Sequence, residues 1–312
     1  MEKINYDDFK KEYLLEIEQL LKQRGSATRP VILGEGLSLE KITLELGDKI
    51  CHVIDIHEVY SAYCKNEYPK FYIAKQTLEC FRDFGLVKRT QVESMDNVII
   101  CVANLKKSKG PLEKSKIPYL VIDDMAVYFR FNYEMRYGST MESIVYNNHL
   151  LGWDCSAEML FNIVNQSTAQ EIGACALNWV ELPEDLNFGH SQVVVKAQDL
   201  SSEPYDLIGI NGAGTMLYPA VLREFLTAYR ERMLIIPYSE RKAALFPENC
   251  IKETWVQKKI RENIENTEPN LLLSNHVYMY DGGKLSRQYD NLEQMLSALN
   301  RDNLTIHKKQ GR

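Results

Sequence analysis

An α+β fold is predicted for this chain, with mixed and antiparallel sheets under packed helices and a βαββαβ unit at the C-terminal end. Three observations predict it. Apolar residues recur at steps of three and four where helices are expected, as Phe9, Tyr13, Ile17, Leu20 and Leu21 do near the N-terminus. Alternation marks half-buried strands, as Ile42, Leu44 and Leu46 do between polar neighbours. After Pro204, strand-like and helix-like segments succeed one another in the split-βαβ or ferredoxin-like order.

Each element follows from local pattern. The first helix runs from Asp7 to Arg24 and stops at Gly25, since glycine tolerates the left-handed backbone of a helix end. Strands are expected at Pro30–Leu33, Lys41–Leu46 and Ile50–Ile54, and helices at His57–Cys64 and Phe71–Phe84. Val98–Ala103 reads as a buried strand. A loop follows with Lys106, Lys107, Lys109, Lys114 and Lys116 around Gly110-Pro111. Met125–Tyr133 and Thr140–Tyr146 form a hairpin, and Ala157–Val164 is helical.

The C-terminal unit comprises strands Tyr205–Ile210, Met233–Ile236, Ala243–Phe246 and Val277–Tyr280, with helices over 217–229 and 251–266 on one face of their sheet. Pro219 falls in a first helical turn, where its missing N–H costs least. A short amphipathic helix over 290–300 and a disordered polar tail over 301–312 complete the chain. Residues 183–189 and the Ser201-Ser202-Glu203-Pro204 stretch are the candidate linkers. The second sets the expected domains at 1–202 and 203–300.

Composition narrows the function classes. A chain of 312 residues buries enough surface to need no disulfide or metal staple. The seven cysteines are odd in number, widely spaced and without a C-x-x-C pair, which excludes a disulfide framework and a zinc ribbon. With no apolar leader at Met1–Asp8 and no apolar run long enough to span a bilayer, a cytoplasmic protein without membrane contact is expected. A net charge of −6 speaks against a nucleic-acid partner, whose phosphates need clustered Lys and Arg.

Four groups of residues could carry chemistry, and each has a bland reading. Asn211, Gly212, Gly214 and Thr215 lie between a strand and a helix start, where backbone N–H groups can hold an anion. A tight strand-to-helix turn explains the same glycines without a ligand. His52, Asp55, His57 and Glu58 are dense in ligand types, but the histidines are five apart, so capping or solvated residues explain them better. Cys155 and Cys175 lack any neighbour that would activate a thiolate. Lys106, Lys107 and Lys109 could touch phosphates, yet no aromatic residue is interleaved for base stacking. Eighteen tyrosines, a residue enriched at interfaces, are the other compositional bias.

Three segments carry a resemblance: NGAGTMLYPAVLREF at 211–225, MLIIPYS at 233–239 and LSNHVYMY at 273–280. With NHLLGW at 148–153 and the Glu158 helix, they resemble an uncharacterised bacterial family of unknown function over about residues 95–285. The resemblance implies one integrated architecture and a genomic setting beside mobile elements. It transfers no catalytic residue.

Together these readings favour a non-catalytic binding protein with a protein partner, in the setting the resemblance implies an accessory or anti-defence factor of a mobile element. No cofactor, metal ligand or catalytic residue is assigned. On that reading, alanine at His52, His57, Cys155, His190 or His276 leaves the activity intact. The rival reading is an enzyme acting on a phosphorylated or carboxylated small molecule at the 211–215 turn.

Overall fold

A computed structural model describes residues 4–37, 40–51, 54–65, 73–79, 86–134, 140–179, 192–208, 211–269 and 271–298. The expected linker at 183–189, the tail at 301–312 and the outer parts of the 71–84 helix lie outside the described residues.

The first helix, α1 (Tyr6–Gln23), begins where the Asn5 side chain accepts the Asp8 N–H. Its predicted stripe, Phe9, Tyr13, Ile17, Leu20 and Leu21, is buried. Strands β1 (Arg29–Leu33), β2 (Lys41–Leu46), β3 (Lys49–Cys51) and β4 (Ile54–Asp55) follow, then α2 (Ile56–Cys64). Residues 73–79 form α3. Next come β5 (Leu86–Lys88), α4 (Arg89–Val92), β6 (Val98–Asn104), α5 (Leu105–Lys114), β7 (Tyr119–Ile122), β8 (Met125–Glu134), β9 (Thr140–Ile144), α6 (Asn147–Gly152) and α7 (Ala157–Val164). The C-terminal part holds β10 (Cys175–Asn178), β11 (Gln192–Val194), β12 (Tyr205–Ile208), α8 (Pro219–Tyr229), β13 (Met233–Ser239), β14 (Lys242–Pro247), α9 (Thr254–Glu265), β15 (Val277–Tyr280) and β16 (Leu285–Tyr289). A last helix, α10, covers residues 292–298.

The strands form three sheets. The first has the order β1-β2-β3-β5, with β4 also on β2; the second runs β6-β8-β7, with β9 on β8; the third is seven-stranded, β11-β10-β12-β14-β13-β15-β16. Every pairing in the third sheet is antiparallel. The class is therefore α+β. Two compact units emerge, one of residues 1–99, 107–119 and 128–155, the other of 100–106, 120–127 and 156–312. The boundary expected after residue 202 falls between β11 and β12, both strands of the one seven-stranded sheet.

In the first unit, α1 covers the first sheet, packing its stripe on Ile42, Leu44, Cys51, Ile56 and Val59. In the second, the βαββαβ order stands, with all four expected strands in one sheet. Their spatial order is β12-β14-β13-β15, so the last strand lies beside β13. A ferredoxin-like unit would place it beside the first strand.

The helices also differ from expectation. Phe225 of α8 meets the Tyr205 ring at 5.6 Å, whereas Val256 and Ile260 of α9 pack with Leu234, Ile236, Ala244 and Phe246. Neighbours along a strand point to opposite faces, and Tyr205 pairs with Leu245 while Asp206 pairs with Ala244. The two helices therefore cover opposite faces. The cause is visible in β13, whose seven residues are all buried, as in a strand covered on both sides.

The lysine loop is a helix. Gly110 and Pro111 sit inside α5, whose buried side is Ser108 and Leu112. Among the described residues, no helix is long and apolar enough to cross a membrane.

Candidate functional site

The 211–215 turn is spent on packing. Residues 212–217 form a buried 3-10 turn leading into α8. The Ala213 N–H donates to the Glu240 carbonyl at 3.1 Å, and the Gly214 N–H donates to the Asn211 carbonyl at 2.9 Å. A Cβ at Gly212 would stand 2.2 Å from the Glu240 carbonyl oxygen, and one at Gly214 would stand 2.4 Å from that of Ile100. Close backbone approach thus explains both glycines. Asn211 and Thr215 are buried with them.

Asp55 is the N-cap of α2, accepting from the His57 and Glu58 N–H groups, and the His57 ring stacks on Tyr6 at 4.3 Å. His52 and His190 lie outside the described residues. Burial, and then the Asp154 charge, push the Cys155 thiol up, away from the reactive thiolate. Lys106, Lys107 and Lys109 lie exposed on α5. His149 accepts the Tyr146 N–H on Nδ1 at 2.9 Å and sets Nε2 3.4 Å from Glu93, so both its nitrogens serve structure.

The three segments that carried the resemblance do converge. Gly212 lies against the backbone of Glu240 and Arg241, just past β13. The Leu273 N–H donates to the Tyr238 carbonyl at 3.2 Å, and the Ser274 N–H donates to that of Pro237 at 3.1 Å. The Asn104 amide, at the end of β6, holds the Leu273 carbonyl at 2.7 Å. One residue on, the Leu105 N–H donates to the Asp124 carbonyl at 3.0 Å. These bonds fix the chain before β15 beside the β7–β8 turn.

A polar centre sits there. Asp123, at the turn, takes a φ of +55°, the left-handed region that aspartate tolerates better than most residues. His276 Nδ1 is 2.7 Å from Asp123 Oδ2, and the Tyr278 hydroxyl donates to the same oxygen at 2.9 Å. The Arg287 guanidinium, opposite Tyr278 in the β15–β16 register, donates to Asp123 Oδ1 at 2.8 Å. Asp124 Oδ1 lies 3.5 Å from His276 Nδ1. Burial alone would raise the Asp123 carboxyl; hydrogen bonds from His276, Tyr278 and Arg287 outweigh it and hold the group below the ordinary carboxylate range. Burial, then the bond to Asp123 and the two aspartate charges, push the Tyr278 phenol up.

An ionised carboxylate only accepts, so His276 Nδ1 must carry the proton that bridges them. Its Nε2 has no hydrogen-bond partner among the described residues. One atom each from Asp123, Asp124 and His276 lies within 4.8 Å of the others, close enough to hold one cation. Arg287 and the imidazole N–H already supply positive charge at Asp123, which favours the proton-bridged form. Sequence reasoning missed this centre because its halves are 153 residues apart. Only the LSNHVYMY segment, which carries His276 and Tyr278, had drawn notice.

Comparison with known proteins adds a family. The DUF5688 model, described as a family of unknown function, matches residues 6–282. No curated protein and no solved structure matches the chain.

Proposed function

We propose that this chain, which belongs to DUF5688, a family of unknown function, is an enzyme whose acid–base centre is His276 oriented by Asp123. The observation that carries the reading is the 2.7 Å bond between His276 Nδ1 and a carboxylate also held by Tyr278 and Arg287. A carboxylate on Nδ1 fixes the tautomer and leaves Nε2 as the proton acceptor, the role such pairs take in hydrolytic sites. An imidazole with a bare Nε2 can take a proton from water or a hydroxyl and return it to a leaving group. Arg287, which pairs with Asp123 and Asp290 and leaves 38% of its side chain exposed, supports an anionic substrate on this reading. The substrate class is thus the phosphorylated or carboxylated small molecule of the sequence-based rival, at a different place.

The reading is tested by nitrogen-15 NMR of the histidine rings. His276 should show a protonated Nδ1 and a bare Nε2, and His149 the reverse. An Nε2–H tautomer at His276 would remove its role as a base.

The non-catalytic alternative, a partner-binding protein, is favoured by one feature. Met159 and Ile163, a turn apart on α7, are 53% and 51% exposed. If that face carries the function, Met159→Ser with Ile163→Ser abolishes a partner complex that His276→Gln leaves intact.

A further inference from the structure

Asp206 is a buried carboxyl that the acid–base centre does not use. It lies on β12 opposite Ala244 and is only 6% exposed. Its Oδ1 has no hydrogen-bond partner among the described residues. The surroundings are the apolar core beneath α9, where Trp179, Tyr238, Ala244, Phe246, Val256 and Ile260 pack together.

We infer that Asp206 is a proton-operated latch for α9: neutral, it lies quietly in the apolar core, and ionised, it loosens the helix above it. The charged and titratable groups facing it come from three elements. β13 offers the Tyr238 hydroxyl, β14 offers Lys242, and α9 offers Lys259; the neutral Trp179 indole lies just past β10, its N–H without a hydrogen-bond partner among the described residues. α10 turns only Leu292, Met295 and Leu296 into this core. An isolated buried charge is costly unless it is paired and hydrogen-bonded, and these partners leave one oxygen bare.

The titration agrees in direction. Burial pushes the carboxyl up to about 6, although Lys242, the Tyr238 hydroxyl, the Trp179 indole and Lys259 all pull it down. A group whose folded value is raised stabilises most below its ordinary value, about 3.9, and that contribution is lost as pH rises through the folded value. The latch therefore works between about pH 4 and 6, and α9 is looser above it.

Hydrogen exchange on the full chain tests the latch, with rates corrected for intrinsic chemistry. From pH 5 to 7.5, protection of residues 254–265 in wild type should fall about tenfold, the value linkage gives for that raised pKa, while α8 on the opposite face stays constant. Asp206→Asn should abolish the pH dependence. Equal pH dependence in both proteins would overturn the latch. If the variant does not fold, a carbon-13 titration of the wild-type Asp206 carboxyl decides: a midpoint near the ordinary carboxylate value overturns it as well.

Discussion

Gly212 and Gly214 illustrate what single residues reveal and conceal. From sequence, two glycines after a strand signal a turn, and the turn was legible. What it packs against was not, because Ile100 and Glu240 are far from it in the chain. Gly212 has a φ of +53°, and a Cβ there or at Gly214 would overlap a carbonyl oxygen. Alanine at Gly212 should destabilise by about 2 kcal/mol or more, since a left-handed non-glycine residue alone costs about 1–2 kcal/mol and backbone gives way poorly. At Gly214, whose φ is not left-handed, the overlap with the Ile100 carbonyl alone should cost about 1–3 kcal/mol. Gly173 is the control: its φ is +59°, but a Cβ there would meet nothing within 4 Å, so Gly173→Ala should cost about 1 kcal/mol. Urea melts of the three variants check the ranking. Equal losses at Gly212 and Gly173, with none at Gly214, would mean that φ, and not packing, made the glycines necessary.

At the scale of elements, periodic segments were the legible ones. The β2 strand and α7 have the expected bounds, although β2 buries Thr43 and Glu45 beside Ile42 and Leu44 and leaves Leu46 exposed. α5 was misread because Gly110-Pro111 ordinarily punctuates a loop; here Pro111 sits inside the helix while Leu112 is buried. Serine is a poorer helix former than lysine, so Lys→Ser would mix propensity with charge. Lys106→Gln with Lys107→Gln and Lys109→Gln should shift stability by no more than about 0.5 kcal/mol, as exposed substitutions do. A larger loss in thermal melts would mean that the lysine charges support the helix. The first unit offers the opposite case, with buried Arg130 and half-buried Lys41 on one carboxylate. Lys41 Nζ reaches both Glu142 oxygens, at 2.6 and 2.7 Å, and Arg130 meets the same carboxylate from its own strand. Glu142→Gln should cost about 3–5 kcal/mol, since it takes the counter-charge from the buried Arg130. An unchanged denaturation midpoint would place that carboxylate in solvent.

For the molecule as a whole, class was legible and assembly was not. Strand and helix order can be read along a chain, but strand neighbours and helix faces depend on pairings across it. Seven consecutive apolar or small residues in β13 did hold the clue that both faces of its sheet are covered. The candidate site was less legible still. Asp123 and Asp124 look like any turn residues, and His276 becomes informative only once the fold sets it against them. The family match reaches back to residue 6, so the N-terminal third belongs to the same family as the rest. The most direct test of the account is an activity screen of the whole chain against phosphoester, ester and amide substrates. Wild type, His276→Gln, Asp123→Asn and the triple lysine variant are compared at equal folded fractions. The account predicts an activity that falls at least about 100-fold in the first two variants and is unchanged in the third, as loss of an oriented general base requires. An activity that survives His276→Gln undiminished would contradict it.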